Sequence, residues 1–340
     1  MTKMMFIRPP FKGMGRYVPP HLGIATLYNY LHGRFDWIEF SLVDALADAL
    51  DEEQIVKAIN YSRPDILAIT IKTMQVKQAK EIIERVKDIY NPLIICGGNH
   101  VSVSPQEFVR CGADYAIVGE GEEAIEKIIQ HEFGHYEESL DDCVNICTKN
   151  NVERSGFEPK VCVHGSDIPA PDWSIFDLTK YNENIHINKS RQALPVMASR
   201  GCPFKCDFCS THLTWTTKVR YRNPIDVFNE IKNKWGISDY HFYDDNLMIN
   251  PEWVDQFTEL IISTGLKINW ICLSRPEIIL KHKDLLPKMK SAGCKGFELG
   301  FETDDDGLYL AMNKKNIKST FRKAYEYLCG VNFEMVEFLV

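Results

Sequence analysis

Cys202, Cys206 and Cys209 form a C-x3-C-x2-C run inside "VMASRGCPFKCDFCSTHL", Val196 to Leu213. Three thiols in one short loop are too close together for incidental packing, and they fall one short of a tetrahedral set. A cuboidal iron-sulfur cluster held by three thiolates keeps its fourth iron open to a small-molecule ligand, and it needs its ligands on a single loop that wraps it. Zinc is the competing reading, because His212, three residues after Cys209, would complete three thiolates and one imidazole. Structural zinc usually draws on two separate knuckles, whereas all four residues here come from one stretch. A redox disulfide between Cys206 and Cys209 is the weakest reading, since "CDFC" lacks the setting of a cysteine pair at a helix start in a small domain.

Such a loop works only if rigid elements hold it. "LPVMASRG" reads as a strand running into it. Then follow helix "PIDVFNEIKNKWG", strand "DYHFYDDNLM", helix "PEWVDQFTELIISTG" with Pro251 in its first turn, strand "INWICLSRP" and helix "HKDLLPKMKSAG". Strand "KGFELGFET", helix "NIKSTFRKAYEYLCG" and strand "VNFEMVEFLV" complete the series. This repetition, with polar residues at the strand ends, predicts a (β/α) barrel over 193–340 with its site at the carboxyl face, where the cysteine loop also falls. The chain stops on the apolar strand ending Leu339-Val340 with no covering helix, so the barrel is expected to be partial, truncated at its fifth strand.

The first third alternates in the same way, with "MMFIRP", "EFSLVDA", "DILAITIKT", "PLIICGG" and "YAIVGEG" as strands. Leu22, Ile24, Leu27 and Leu31 mark the helix after the first. A Rossmann-like, doubly wound parallel α/β sheet is predicted over 1–135. Loops at the carboxyl ends of its strands form the ligand crevice: Arg8 to Gly15, Thr70 to Met74, Gly97 to Ser104 and Gly119 to Glu122. There Gly97, Gly98, Gly119 and Gly121 either let a ligand approach the backbone or only end strands. Over 136–192 the pattern weakens to a linker, with a small hairpin expected around "CVNICTKNNVERSG" and extended chain after it.

The 340 residues, 45% hydrophobic, suffice for two domains. With 39 basic against 47 acidic side chains, the net charge of -8 argues against a nonspecific nucleic-acid or anionic-membrane partner. No run approaches the roughly 20 apolar residues of a membrane span, and "MTKMMFIRPP" is a poor signal peptide, so a cytoplasmic protein is expected. Most of the eleven cysteines are then reduced thiols. Cys96, Cys111, Cys162, Cys272, Cys294 and Cys329 read as small buried hydrophobes.

With this cysteine spacing and Phe208 before the last cysteine, the chain resembles the radical S-adenosylmethionine enzymes. The resemblance covers nearly all of it. "YVPPHLGIATLYNYL", "PDILAIT", "IICGGNHVSVSPQEF" and "AIVGEGEEAI" look like the cobalamin-binding domain that precedes the barrel in one branch. "PAPDWSIFDLTKY", "YDDNLMINPEW", "SAGCKGFELGFET" and "MNKK" look like the same branch. The resemblance implies a [4Fe-4S] cluster on Cys202, Cys206 and Cys209, whose open iron is chelated by the methionine amino and carboxylate groups of S-adenosylmethionine. It implies an electron donor such as flavodoxin or ferredoxin, and cleavage to a 5'-deoxyadenosyl radical. Cobalamin in that branch commonly carries a methyl group, taken from a second S-adenosylmethionine, to a substrate carbon. The resemblance therefore implies methylation of an unactivated carbon in a small-molecule or peptide substrate. Within the branch the alternative is a cyclase or oxidase without methyl transfer; outside it, a non-catalytic metal- or corrinoid-binding protein.

The resemblance also assigns side chains. Asp244 and Asp245, after the second barrel strand, would accept the methionine ammonium group, a role that suits a carboxylate; a helix cap or solvated turn is the plainer account. Arg275 would pair with the methionine carboxylate and Glu302 with the ribose hydroxyls, unless either forms an ion pair across the barrel top. Phe208 belongs with these cofactor contacts. One departure concerns cobalt: "RPPFKGMGRY" lacks the Asp-x-His-x-x-Gly loop that supplies its histidine in other cobalamin modules. His100 in "GGNHVS" is the remaining candidate to contact the corrin or ligate cobalt, against a role as a surface hydrogen-bonding residue.

Overall fold

A computed structural model describes residues 1–11, 18–134, 138–162, 164–182, 192–232, 236–314 and 318–339. Lys12 to Gly15 of the expected crevice, with Arg16 and Tyr17 after them, and Lys315 of "MNKK" lie outside the described residues. The chain divides into two compact units, Met1–Cys162 with Pro169–Tyr181 and Leu213–Trp215, and Val163–Ile168 with Asn182–His212 and Thr216–Val340.

The first unit runs β1 (Thr2–Arg8), α1 (Leu22–His32), β2 (Ile38–Asp44), α2 (Glu52–Ser62), β3 (Ile66–Thr70), α3 (Val76–Ile89) and β4 (Leu93–Gly97). It continues with α4 (Asn99–Val103), α5 (Pro105–Arg110), β5 (Tyr115–Ile117), α6 (Glu122–Phe133) and β6 (Ile146–Thr148). β1, β3 and β4 are almost uninterrupted apolar runs because helices cover both faces of a parallel sheet. Phe6, Ile7, Ile66, Leu67, Ile94 and Ile95 are accordingly no more than 1% exposed. α3 buries Ala79, Ile82, Ile83 and Val86, one stripe at helical spacing. α2 begins with a reciprocal cap, in which the Gln54 amide donates to Asp51 and the Asp51 amide to Gln54.

The strand order is β2-β1-β3-β4-β5-β6. Winding reverses between β1 and β3, so their carboxyl ends flank a crevice. The sheet has one strand more than expected: β6 pairs antiparallel with β5, Tyr115 opposite Thr148. "CVNICTKNNVERSG" therefore closes a sheet edge and does not form a hairpin of its own. The "PAPDWSIFDLTKY" segment is not free linker either, at least through Tyr181. Trp173, Phe176 and Tyr181 are all buried, in edge-to-face contacts at 5.5 and 5.7 Å. The Tyr181 hydroxyl donates to Asp44 at 2.9 Å, and Asp44 also pairs with buried Arg8 at 3.1 Å.

The second unit runs β7 (Ala193–Val196), β8 (Ser199–Arg200), α7 (Thr211–Thr214), β9 (Arg220–Tyr221), α8 (Pro224–Lys232), β10 (Asp239–Phe242), α9 (Pro251–Thr264) and β11 (Asn269–Ser274). After these come α10 (Pro276–Lys281), α11 (Leu286–Ser291), β12 (Cys294–Gly300), α12 (Asp306–Ala311), α13 (Lys318–Gly330) and β13 (Met335–Leu339). Five strands make a parallel sheet in the order β13-β12-β11-β10-β7, the sequential neighbour order of a (β/α) barrel wall. One face packs on α9, with Phe242 at 5.4 Å from Phe257, and on that sheet Phe242 lies 5.3 Å from Trp270 of β11. Ala193, Ile271 and Met335 meet in a separate small cluster. The expected first barrel strand is broken in two: β7 stops at Val196, and β8 pairs antiparallel with β9 as a two-residue ribbon.

No helix among the described residues is long and apolar enough to cross a membrane. Trp173 is 2% exposed, so Trp173→Ala is expected to cost about 3–5 kcal/mol of stability, read as a lower urea midpoint for the transition of the first unit.

Candidate functional site

The cysteine loop leaves the sheet between β8 and β9. Its first turn is tight: Gly201 has a φ of +103°, and a Cβ there would lie 2.5 Å from the Lys218 carbonyl oxygen. Only glycine fits. Cys202 and Cys209 are half-buried and Cys206 is buried. Burial pushes the Cys202 thiol up to about 11, with the Asp245 charge adding to it.

Each of the other two cysteines meets a polar group on a strand-end loop or reaches one through a short relay. Cys209 lies 3.3 Å from the Thr211 hydroxyl, which donates to Asp245 at 2.9 Å. Arg275 donates from Nη1 to Cys206 Sγ at 3.3 Å. Asp245 and Arg275 follow β10 and β11, so two adjacent parallel strands deliver an anion and a cation to one cysteine loop.

Asp244 goes elsewhere. It is 0% exposed and accepts from the Ala198 amide at 3.0 Å and the Ser199 hydroxyl at 2.5 Å. Both partners lie just before the cysteine loop, so Asp244 anchors the backbone on which that loop is mounted. Burial raises its carboxyl to about 7, against hydrogen bonds that pull it down. Burial raises Asp245 as well, with Thr211 opposing.

Glu302, in the left-handed region at φ 52°, pairs with Lys314 at 2.5 Å. Lys314 is 3% exposed and also donates to the Gly300 carbonyl at 2.9 Å. The structure thus holds Glu302 in an ion pair on the loop after β12. Phe208 is 52% exposed.

Whether these residues suit a bound group can be tested on their unsatisfied atoms. Buried side-chain atoms without a hydrogen-bond partner include His212 Nδ1 between β8 and β9, Asn246 Nδ2 and Arg275 Nη2 on the loops after β10 and β11, and Glu277 Oε2 in the first turn of α10. Buried polar groups are normally paired, so such a concentration suits a polar ligand. Among the described residues, no three His, Cys, Asp or Glu side chains converge on a single metal ion. Sequence reasoning missed Thr211, Asn246, Glu277 and Lys314, and Phe204, whose ring lies 3.9 Å from Arg275 Cζ. Lys314, Phe204, Thr211 and Asn246 stood in quoted stretches and Glu277 in the first turn of α10, but no spacing marks any of them.

In the first unit the crevice residues are well supplied with partners. His100 uses both ring nitrogens, Nδ1 with Thr73 and Nε2 with Glu107, each at 3.1 Å. His21, absent from the sequence reading, caps α1 through Nδ1, which accepts from the Ile24 amide at 3.2 Å. Burial, with Arg8 and Lys72 nearby, holds His21 well below its ordinary range, so it is neutral. Gly98 and Gly119 pack against Ile71 and Pro159, and Gly121 against Leu27. Gly97 differs, since nothing lies within 4 Å of a Cβ placed there and its φ is ordinary. No backbone demand explains this glycine, and the open space over it fits close approach by a ligand.

Residues 15–129 match the B12 binding domain family and residues 196–340 the Radical SAM superfamily. An uncharacterized methyltransferase of Pyrococcus horikoshii is 28% identical over 318 residues, covering 89% of this chain and 66% of its own. The anaerobic magnesium-protoporphyrin IX monomethyl ester cyclase of Cereibacter sphaeroides is 25% identical over 352 residues, covering 99% of this chain and 56% of its own. The chain thus spans under two thirds of the length of these relatives. Two solved structures share the fold. The cobalamin-dependent S-adenosylmethionine radical enzyme OxsB, with aqua-cobalamin and S-adenosylmethionine bound, has a TM-score of 0.77 at 18% identity, over 100% of this chain and 49% of that one. The radical S-adenosylmethionine methyltransferase TsrM of Kitasatospora setae, with cobalamin and a [4Fe-4S] cluster bound, has a TM-score of 0.75 at 15% identity, over 99% of this chain and 69% of that one.

The raised Asp244 carboxyl has a consequence for stability. Its folded value of about 7 lies above the ordinary 3.8, so the folded state binds the extra proton between those values, and stability falls as pH rises through them. Asp244→Asn imitates the protonated form. Relative to the parent, its thermal midpoint is expected to improve steadily from about pH 4 to about pH 7 and to stay level above that.

Proposed function

Because the chain belongs to the radical S-adenosylmethionine enzymes that carry an N-terminal B12-binding domain, we propose that it methylates an unactivated carbon of a small-molecule or peptide substrate. The observation that carries this reading is the meeting of Cys206 with Arg275, and of Cys209 with Thr211 and Asp245, beside buried polar atoms that lack partners. A [4Fe-4S] cluster with S-adenosylmethionine supplies one-electron cleavage chemistry, and cobalamin supplies methyl transfer.

The chain's own residues then hold and orient. Cys202, Cys206 and Cys209 are the cluster ligands. Asp245, a carboxylate raised by burial and bonded to a neutral hydroxyl, gains most from a cation and takes the methionine ammonium group. Arg275 offers its free Nη2 to the methionine carboxylate. Glu302, steadied by Lys314, would accept from ribose hydroxyls, and the exposed Phe208 ring would be available to the nucleoside. In the first unit Gly97, with Gly98, Gly119 and Gly121 shaping the strand ends, would leave room for the corrinoid. His100 has both ring nitrogens bonded within its own unit, so on this reading it would not be the residue that ligates cobalt. The electron comes from a carrier such as flavodoxin or ferredoxin.

A cyclase or oxidase without methyl transfer is the second reading, favoured by the cyclase relative's match to 99% of the chain. The two differ in their products from S-adenosylmethionine. After anaerobic reconstitution, methyl transfer predicts S-adenosylhomocysteine alongside 5'-deoxyadenosine; the cyclase reading predicts 5'-deoxyadenosine alone. Cys202→Ala, Cys206→Ala and Cys209→Ala are each expected to lose most of the bound iron and all cleavage. Stoichiometric zinc in oxygen-protected material that stays colourless after iron and sulfide are supplied overturns the reading. Gly97→Leu is expected to weaken hydroxocobalamin binding at least tenfold in an absorbance titration, with cluster iron unchanged.

A further inference from the structure

Arg275 is placed too deliberately to be only a carboxylate clamp. It is 9% exposed, although it sits on the loop between β11 and α10. Three contacts fix its guanidinium. The plane lies over the Phe204 ring with Cζ 3.9 Å from the centroid. Nε donates to Glu277 Oε1. Nη1 donates to Cys206 Sγ at 3.3 Å, and Cys206 is itself 7% exposed.

We infer that Arg275, clamped between Phe204 and Glu277, is a positioning residue that holds a permanent positive charge against the Cys206 thiolate and so raises the reduction potential of the cluster. The inference rests on the reading that the three cysteines carry that cluster. Reduction adds one negative charge to an already anionic thiolate-bound centre. A nearby cation and an N–H to sulfur bond stabilise the reduced state more than the oxidised one. Burial keeps the interaction from being screened. The guanidinium does not lose its proton, so the charge does not depend on pH. Phe204 restrains the guanidinium plane through its ring face. Glu277 works the other way: its carboxylate offsets part of the cation's charge, and it sets how much of that charge Cys206 feels.

Those opposed roles make the test specific. The full chain is reconstituted anaerobically with iron and sulfide, and its cluster is titrated with dithionite under electron paramagnetic resonance. S-adenosylmethionine is left out, so that no ligand carboxylate at Nη2 offsets the guanidinium charge. Arg275→Gln is expected to lower the one-electron equilibrium constant for reduction about tenfold, a fall of about 59 mV. Arg275→Lys falls less, and Glu277→Gln moves the potential upward. Iron content equal to the parent's shows that the site is intact. A potential unchanged in Arg275→Gln at full iron content overturns the inference, because a merely structural contact would leave it there. Should Arg275→Gln fail to take up iron, Glu277→Gln decides alone, and an unmoved or lowered potential overturns the inference. A parent chain that never assembles a cluster overturns the underlying reading, and this inference with it.

Discussion

A carboxylate shut away from water fixes where the cysteine loop begins. Asp244 is fully buried, and its partners are the amide of Ala198 and the hydroxyl of Ser199. In a low-dielectric interior such bonds are strong, and a broken one leaves a stranded polar group. The junction between β7 and β8 is therefore pinned to the end of β10, whose Phe242 already pairs in register with Val196. Thr211 and Arg275 meet Cys209 and Cys206 only because the loop leaves the sheet at that one place. Gly201 then turns the chain so closely beside Lys218 that no side chain fits.

Adjacent residues in extended chain face opposite ways, and this separates the roles of neighbouring acids. Asp244 turns toward the backbone before the loop, and Asp245 toward Thr211 within it. One holds the mount and the other addresses what is mounted. β12 and its following loop show a related division. Glu298 pairs with His241 across the sheet at 3.2 Å, while Glu302, beyond the strand end, turns to Lys314. Pairing within the sheet gives each buried charge a fixed partner, and the loop positions keep atoms available.

The fold was legible in the sequence because its strongest signals are local and repeated. Apolar runs of β1, β3 and β4, the helical stripe of α3 and the Asn250-Pro251 start of α9 need no distant information. β6 was misread as a hairpin arm because a three-residue strand carries no pairing preference of its own; its partner β5 lies some thirty residues back. The β8–β9 ribbon is two residues on each side and invisible to any period. At the site, the cysteine spacing identified the loop, but the division between Asp244 and Asp245 depends on which of them faces Ser199. His100 was the natural histidine to single out in the crevice, yet Thr73 and Glu107 occupy both its nitrogens, which only three-dimensional proximity reveals.

The two units differ in how they stand ready for a ligand. At the barrel strand ends, Arg275 Nη2, Asn246 Nδ2 and Glu277 Oε2 are buried without partners. Each such atom costs about 1–3 kcal/mol. A folded chain tolerates that cost where a polar ligand will satisfy the atoms, and Arg275 among them reaches Cys206 of the cysteine loop. In the crevice of the first unit, Arg8, Asp44, His21 and His100 all have partners within the unit, and the opening lies over Gly97. Among the described residues of this crevice few unpaired donors face a ligand, so recognition there rests on shape against backbone. That contrast suits a large, rigid, mostly self-contained ring system in the first unit and a small charged zwitterion in the second. It follows from how each unit pairs its polar atoms, and not from any single motif.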